Sequence, residues 1–271
     1  MKFHNSQSGS QKMTFGGHLE VLRRMLFRVS VVTLSLSVVI FCLKEATFNI
    51  LLAPSQWDFI TYRMIENLLH WFGSDFNFQE FHINMIATEL SSQFMIHIST
   101  SFYLGLLFAS PYILWELFRF VSPALYSNER RYATKTAIAI LLLFITGVLI
   151  NYFILFPISF RFLGTYSVSE TVVSNITIDS YISTFVSLTL VLGIVFQLPV
   201  LAFFLGKMGV ISSQMLSRYR KHSLIIIMLV AAIITPPDVM TLVLVTIPLY
   251  LLFELSIKVL KWTEKRKKEN R

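Results

Sequence analysis

The sequence predicts an all-α membrane protein with six transmembrane helices, the last two of them short. Three observations carry that prediction. First, only 14% of the 271 residues are charged and the mean hydropathy is +0.65, whereas soluble domains carry about 25% charged residues. Second, the apolar residues lie in long blocks: 25 uncharged residues from Thr136 to Phe160 and 27 from Ser180 to Gly206. Each block exceeds the roughly 20 residues that cross a bilayer core, which excludes a soluble enzyme. Third, Lys and Arg alternate between crowded and sparse loops, as membrane topology requires.

Residues 1–17 are polar and rich in Ser and Gly, and the composition predicts a mobile segment ahead of a single transmembrane domain over 18–262. Span one covers about 25–43, with Arg28 reaching back toward the headgroups. Arg23 and Arg24 before an apolar run imitate an export signal, but no small-x-small cleavage site follows and further spans do, so the run reads as a retained span. An extended outer loop occupies 44–89. Within it Trp57, Ile60, Met64, Leu68 and Trp71 recur at helical spacing. Two readings stand for this amphipathic helix: it lies on the membrane surface, or it caps a small core of the loop itself. Span two covers 90–118, with Pro111 predicted to kink it. Span three covers 136–160 and is predicted to close at Pro157. Span four covers 181–206. Pro236-Pro237 divides the last apolar stretch into 223–235 and 239–257. Residues 263–271 form a basic tail.

With six spans, 20 of the 23 Lys and Arg residues fall on one side, and only Lys44, Arg63 and Arg161 fall on the other. That bias predicts cytoplasmic N- and C-termini. The net charge of +8 is then a topology signal rather than a nucleic-acid footprint. A single cysteine, Cys42, excludes an internal disulfide framework. No nucleotide loop, metal-binding motif or nucleophile–base pair is present, so no cofactor, metal or catalytic residue is expected.

The polar residues that stand out are few. Glu129, in the short loop after span two, is a carboxylate on a basic face. It suits an incoming guanidinium or pairs locally with Arg130, Arg131 or Lys135. Glu20 precedes Arg23 and Arg24 by three and four residues, a spacing that favours intrahelical pairing. Gln197 lies inside span four as interhelical glue or as part of a pathway. Glu254 stands four residues before Lys258 and reads as a snorkelling ion pair, and Glu264 and Glu269 read as solvated tail residues.

Beyond these, His18-Leu19 with Leu22-Arg23, the run Ser110-Pro111-Tyr112-Ile113-Leu114, the run Phe120-Val121-Ser122-Pro123-Ala124-Leu125-Tyr126 and Asn128-Glu129-Arg130-Arg131 form an ordered series. Phe156-Pro157, Phe196-Gln197-Leu198-Pro199 and Thr235-Pro236-Pro237-Asp238 extend it. This series, from about Phe15 to Trp262, resembles TatC, the polytopic subunit of the twin-arginine protein translocase. The resemblance implies a concave, cup-like arrangement of six helices in the inner membrane of a bacterium. It also implies a receptor for twin-arginine signal peptides of folded precursors, assembled with TatA- and TatB-type single-span proteins and with further copies of itself, and driven by the proton-motive force. It assigns signal binding to Glu20, Arg23, Phe120, Pro123 and Glu129, and partner-helix contact to Gln197. Pro54 and Asp238 match outer-loop positions, which turn chemistry also explains. The family's first motif carries its glutamate three residues after the histidine, where this chain has Val21; Glu20 stands one position earlier, about 100° around a helix. The competing function is a small-solute secondary transporter with Gln197 and Asn151 lining its path.

Overall fold

The structure, a computed structural model, describes residues 15–73, 80–81, 83–121, 130–167, 169 and 175–269. Eleven helices account for most of them: α1 (Phe15–Cys42), α2 (Lys44–Leu52), α3 (Ile60–Trp71), α4 (Ser92–Val121), α5 (Arg130–Ile150), α6 (Phe156–Thr165), α7 (Ile178–Val195), α8 (Leu198–Met208), α9 (Ser213–Arg218), α10 (Arg220–Ile234) and α11 (Val239–Glu269). Five helical stretches are long and apolar enough to cross a membrane: 19–42, 92–117, 136–165, 178–208 and 239–265. At 15 residues, α10 is apolar but shorter.

The antiparallel pair α1–α4 opens the bundle. Arg28 meets Glu116 at one end, and the His97 ring nitrogen meets the Phe41 carbonyl at 3.1 Å at the other. Between them the helices approach so closely that a Cβ on Gly105 would fall 2.1 Å from Ser37 Oγ and 2.8 Å from its backbone nitrogen. Only glycine fits there. Pro111 lies inside α4 without ending it. Proline removes the N–H that would bond the carbonyl of Leu107, and the Ser110 hydroxyl donates to that carbonyl instead.

Span three does not close at Pro157, as the sequence suggested. The chain passes from α5 through a π-helical turn, Asn151–Leu155, into α6 and continues to Thr165. The carbonyl left free by Pro157 is that of Phe153, and Thr61 of α3 donates its hydroxyl to it. Tyr62 donates to the Pro157 carbonyl at 2.8 Å. The partner that keeps this helix intact comes from a segment about 90 residues away, which no local pattern reveals.

Tyrosines seal the same end of the bundle. Helix α2 leaves its last carbonyls unpaired, and Tyr152 and Tyr181 donate to those of Ile50 and Leu51 at 2.7 and 2.8 Å. Around them pack Phe156, Phe160, Tyr181 and Phe185, mostly edge to face. A two-residue parallel bridge, Met85–Ile86 with Ile176–Thr177, ties the long loop to the connection before α7. Helix α3 buries Thr61 and Tyr62 on one face, while Ile60, Met64, Leu68 and Trp71 face outward, Trp71 at 80% exposure. Of the two readings, the structure shows the second: one face closes a small core with Phe59 and Phe81, while the apolar stripe stays exposed.

Span four is broken at Phe196–Gln197, with Pro199 in the first turn of α8. Pro236-Pro237 separates α10 from α11, and Asp238 accepts the Thr241 N–H at 2.6 Å to start α11. Helix α10 is short, as expected. Helix α11 is not: it spans 31 residues, through Pro248 and well past its apolar part. Charged residues begin after Phe253 without ending the helix, and Ile257 and Leu260 remain fully buried. Leu260 fills the space above Gly206 of α8.

Candidate functional site

Of the expected signal-binding residues, Glu20 and Arg23 lie near the start of α1 and Phe120 in the last turn of α4. Glu20 sits on the exposed side of α1, 3.0 Å from Arg24 and 3.7 Å from Arg23. The i+3 and i+4 spacing thus realises the local pairing, and at this exposure such pairs contribute little to stability. Beside them opens a cleft of about 740 Å³ lined by Glu20, Val21, Arg23, Arg24, Phe27 and Arg28. Among the described residues its lining combines guanidinium groups, one carboxylate and an aromatic ring.

Deeper in, Glu116 of α4 keeps only 6% of its side chain exposed. Its Oε1 accepts the Tyr112 hydroxyl at 3.1 Å and faces the Arg28 guanidinium at 3.5 Å and that of Arg119 at 4.0 Å. Burying a carboxylate is costly unless it is paired and hydrogen-bonded, and these three groups meet that requirement. From the sequence, Glu116 was assigned no role. The Tyr112–Glu116 spacing of four was a signal, but the pairing with Arg28 depends on the register between α1 and α4.

Phe120 lies in the last turn of α4, and its side chain is outside the described part of the structure. Pro123 and Glu129 lie outside the described residues. Gln197 is 7% exposed at the α7–α8 break, and its Nε2 donates to the carbonyls of Ile140 at 3.2 Å and Gly193 at 3.4 Å. It joins α5 to the broken helix, while its Oε1 is buried without a hydrogen-bond partner among the described residues. Asn151 is fully buried and donates to Thr189 at 2.7 Å. The NH2 groups of both amides are thus committed to helix contacts, and both side chains are buried between helices rather than lining an open path. Pro54 is buried in a single 3-10 turn and accepts from Tyr62 at 3.4 Å. Asp238 caps α11 through Oδ1, and its buried Oδ2 has no hydrogen-bond partner among the described residues.

Two acidic residues have partners other than those expected. Glu254 pairs across helices with Arg220, at 2.7 Å, rather than along α11 with Lys258. Glu264 is no solvated tail residue: it accepts the Ser213 N–H at 2.7 Å and its hydroxyl at 2.5 Å, capping α9 from α11. Both contacts depend on helix packing that the tail's composition does not encode. Among the described residues no cluster of three or more His, Cys, Asp or Glu side chains is placed to hold a metal.

Comparison with known proteins bears on the same arrangement. The family model described as TatC, Sec-independent protein translocase protein, matches residues 17–248. The chain is similar to the Sec-independent protein translocase protein TatC of Blattabacterium sp. subsp. Periplaneta americana (strain BPLAN), 33% identical over 94% of this chain and 98% of that protein. It is 37% identical to the TatC of Aquifex aeolicus (strain VF5) over 69% of this chain and 78% of that one. Among solved structures, a crystal structure of the twin-arginine translocase receptor TatC superposes with a TM-score of 0.71 at 32% identity, covering 91% of this chain and 99% of that one.

Proposed function

We propose, from the premise that the chain belongs to the TatC family of Sec-independent protein translocase proteins, that it is the membrane receptor and assembly core of a twin-arginine export machine. The family is one of translocase subunits, not of catalytic enzymes. The observation that carries the proposal is the charged cleft at the start of α1, built from the stretch that holds the first family motif. Arginine side chains of a signal peptide find carboxylates there, and its apolar segment finds the lipid-facing helices beside it.

In this reading the chain crosses the bacterial inner membrane six times, α10 being the short passage, with both termini in the cytoplasm. Glu129 and Glu20 receive the signal arginines, Phe120 and Pro123 border the site, and Arg23 sets its register through Glu20. Around Gln197, the outward side chains Ile194, Leu198 and Leu201 offer a surface to TatA- or TatB-type helices, and Gln197 fixes that surface by bonding to α5. The outward stripe of α3 rests on the outer lipid surface, with Trp57 and Trp71 at headgroup level. Transport then draws on the proton-motive force.

The test is export of a folded reporter carrying an Arg-Arg signal in cells whose only copy of this subunit is this chain. Export that stops when the signal becomes Lys-Lys, and when Glu129 becomes Gln, is the expected result. Export indifferent to both changes would contradict the receptor role.

A further inference from the structure

We infer that Glu116 is a second, latched receptor for a signal arginine, and that Arg28 holds its place until a signal arrives. The inference rests on the receptor reading above and adds to it the residue that would serve as the inner carboxylate.

The need for such a residue follows from two facts about α1. Val21 stands where the family's first motif carries its glutamate, and the neighbouring Glu20, which lines the cleft, is already engaged by Arg23 and Arg24. Glu116 is placed otherwise. It reaches across from α4 to the Arg28 side of the cleft, behind an arginine that lines that cleft. Its side chain is more than nine-tenths buried, so a guanidinium bound there would be held in a low-dielectric setting, where pairing is stronger than at the surface.

The present occupant is loosely held. Arg28 approaches Glu116 at 3.5 Å, beyond the 2.7–2.9 Å of a charge-assisted hydrogen bond. Its own Nε is directed to the Arg24 carbonyl at 3.3 Å, and 46% of its side chain is exposed. Glu116 accepts the Tyr112 hydroxyl at Oε1, the closest approaches of Arg28 and Arg119 are to that same oxygen, and among the described residues no hydrogen bond is made to Oε2. One carboxylate oxygen is thus left for an incoming guanidinium, which pairs in bidentate fashion where an ammonium cannot. When the signal arginine takes Glu116, Arg28 turns back toward the solvent from the half-exposed position it already holds. The exchange leaves the carboxylate paired throughout, which avoids the penalty of an uncompensated buried charge.

The competing role is a plain clamp between α1 and α4, and the two roles differ in what the loss of Arg28 does. The experiment measures the affinity of labelled Arg-Arg and Lys-Lys signal peptides for the full-length chain in its complex, solubilised from membranes. The readout is the ratio of the two affinities, because removing any positive charge strengthens both peptides alike. A latch predicts that Arg28→Gln raises the ratio about threefold, the scale of a half-exposed ion pair. Glu116→Gln, which can still accept from Tyr112, lowers it about tenfold, the scale of a lost charged hydrogen bond. The double variant matches Glu116→Gln alone. A ratio that falls in Arg28→Gln as it does in Glu116→Gln shows a clamp and overturns the inference, as does a ratio that Glu116→Gln leaves unchanged. If the wild-type complex itself does not prefer Arg-Arg, the receptor reading fails and this inference falls with it.

Discussion

Pro111 and Pro157 each delete an N–H from a membrane helix, and in both places a side-chain hydroxyl takes the carbonyl so freed, Ser110 at Leu107 and Thr61 at Phe153. An unpaired carbonyl in hydrocarbon is costly, so these hydroxyls hold the spans together. Thr61→Val preserves shape and removes the donor. It is expected to cost about 1–3 kcal/mol, read as a lower thermal midpoint in detergent, and Thr61→Ser should restore the midpoint. Asp238→Ala removes the cap of α11 and should cost about 1 kcal/mol. At the proposed signal site, Glu129→Gln is expected to weaken Arg-Arg peptide binding about tenfold, the loss of one charge-assisted bond. The pairing of Glu20 with Arg23 and Arg24 was legible in the sequence because helix geometry alone fixes it. The pairings of Glu116 with Arg28, Glu254 with Arg220 and Glu264 with Ser213 were not, because each joins two different helices.

At the scale of elements, the apolar blocks located the long helices but misplaced their ends. Composition registers where lipid contact stops, whereas a helix stops where its hydrogen bonds do. That is why α11 outruns its apolar stretch by a further run of residues and α6 continues beyond Pro157. The α1–α4 contact turns on Gly105, where Gly105→Ala should cost about 1–3 kcal/mol through overpacking against the Ser37 backbone. Helix α3 offers two predictions of its own. Placing Asp at Met64 and Leu68 should reduce quenching of Trp71 fluorescence by brominated lipid while leaving the melting midpoint unchanged, since both side chains are exposed. Burial raises the Tyr62 phenol above its ordinary 10.0, against the opposing Arg161 charge. The folded chain therefore keeps that proton at pH values where the unfolded chain loses it. Stability is held below pH 10 and falls above it, and Tyr62→Phe should shrink the fall seen in an alkaline denaturation series.

For the whole molecule, fold class and family were open to reading because they rest on properties that survive without tertiary detail: block length, loop charge and an ordered motif series. The three-dimensional match to a receptor crystal structure agrees with that reading. The inner layer of the site was less accessible, since it arises from the register of one helix on another. The proposed topology has a direct check in the single cysteine, Cys42. With Cys42→Ser, a cysteine placed at Lys265 should be labelled by impermeant reagents only from the cytoplasm, and one placed at Glu66 only from outside. The central claim is recognition of paired arginines, and its most direct measurement is the affinity of the assembled complex for an Arg-Arg signal peptide against its Lys-Lys counterpart. The account predicts a clear preference for Arg-Arg that Glu129→Gln diminishes; equal affinity for the two peptides would contradict it.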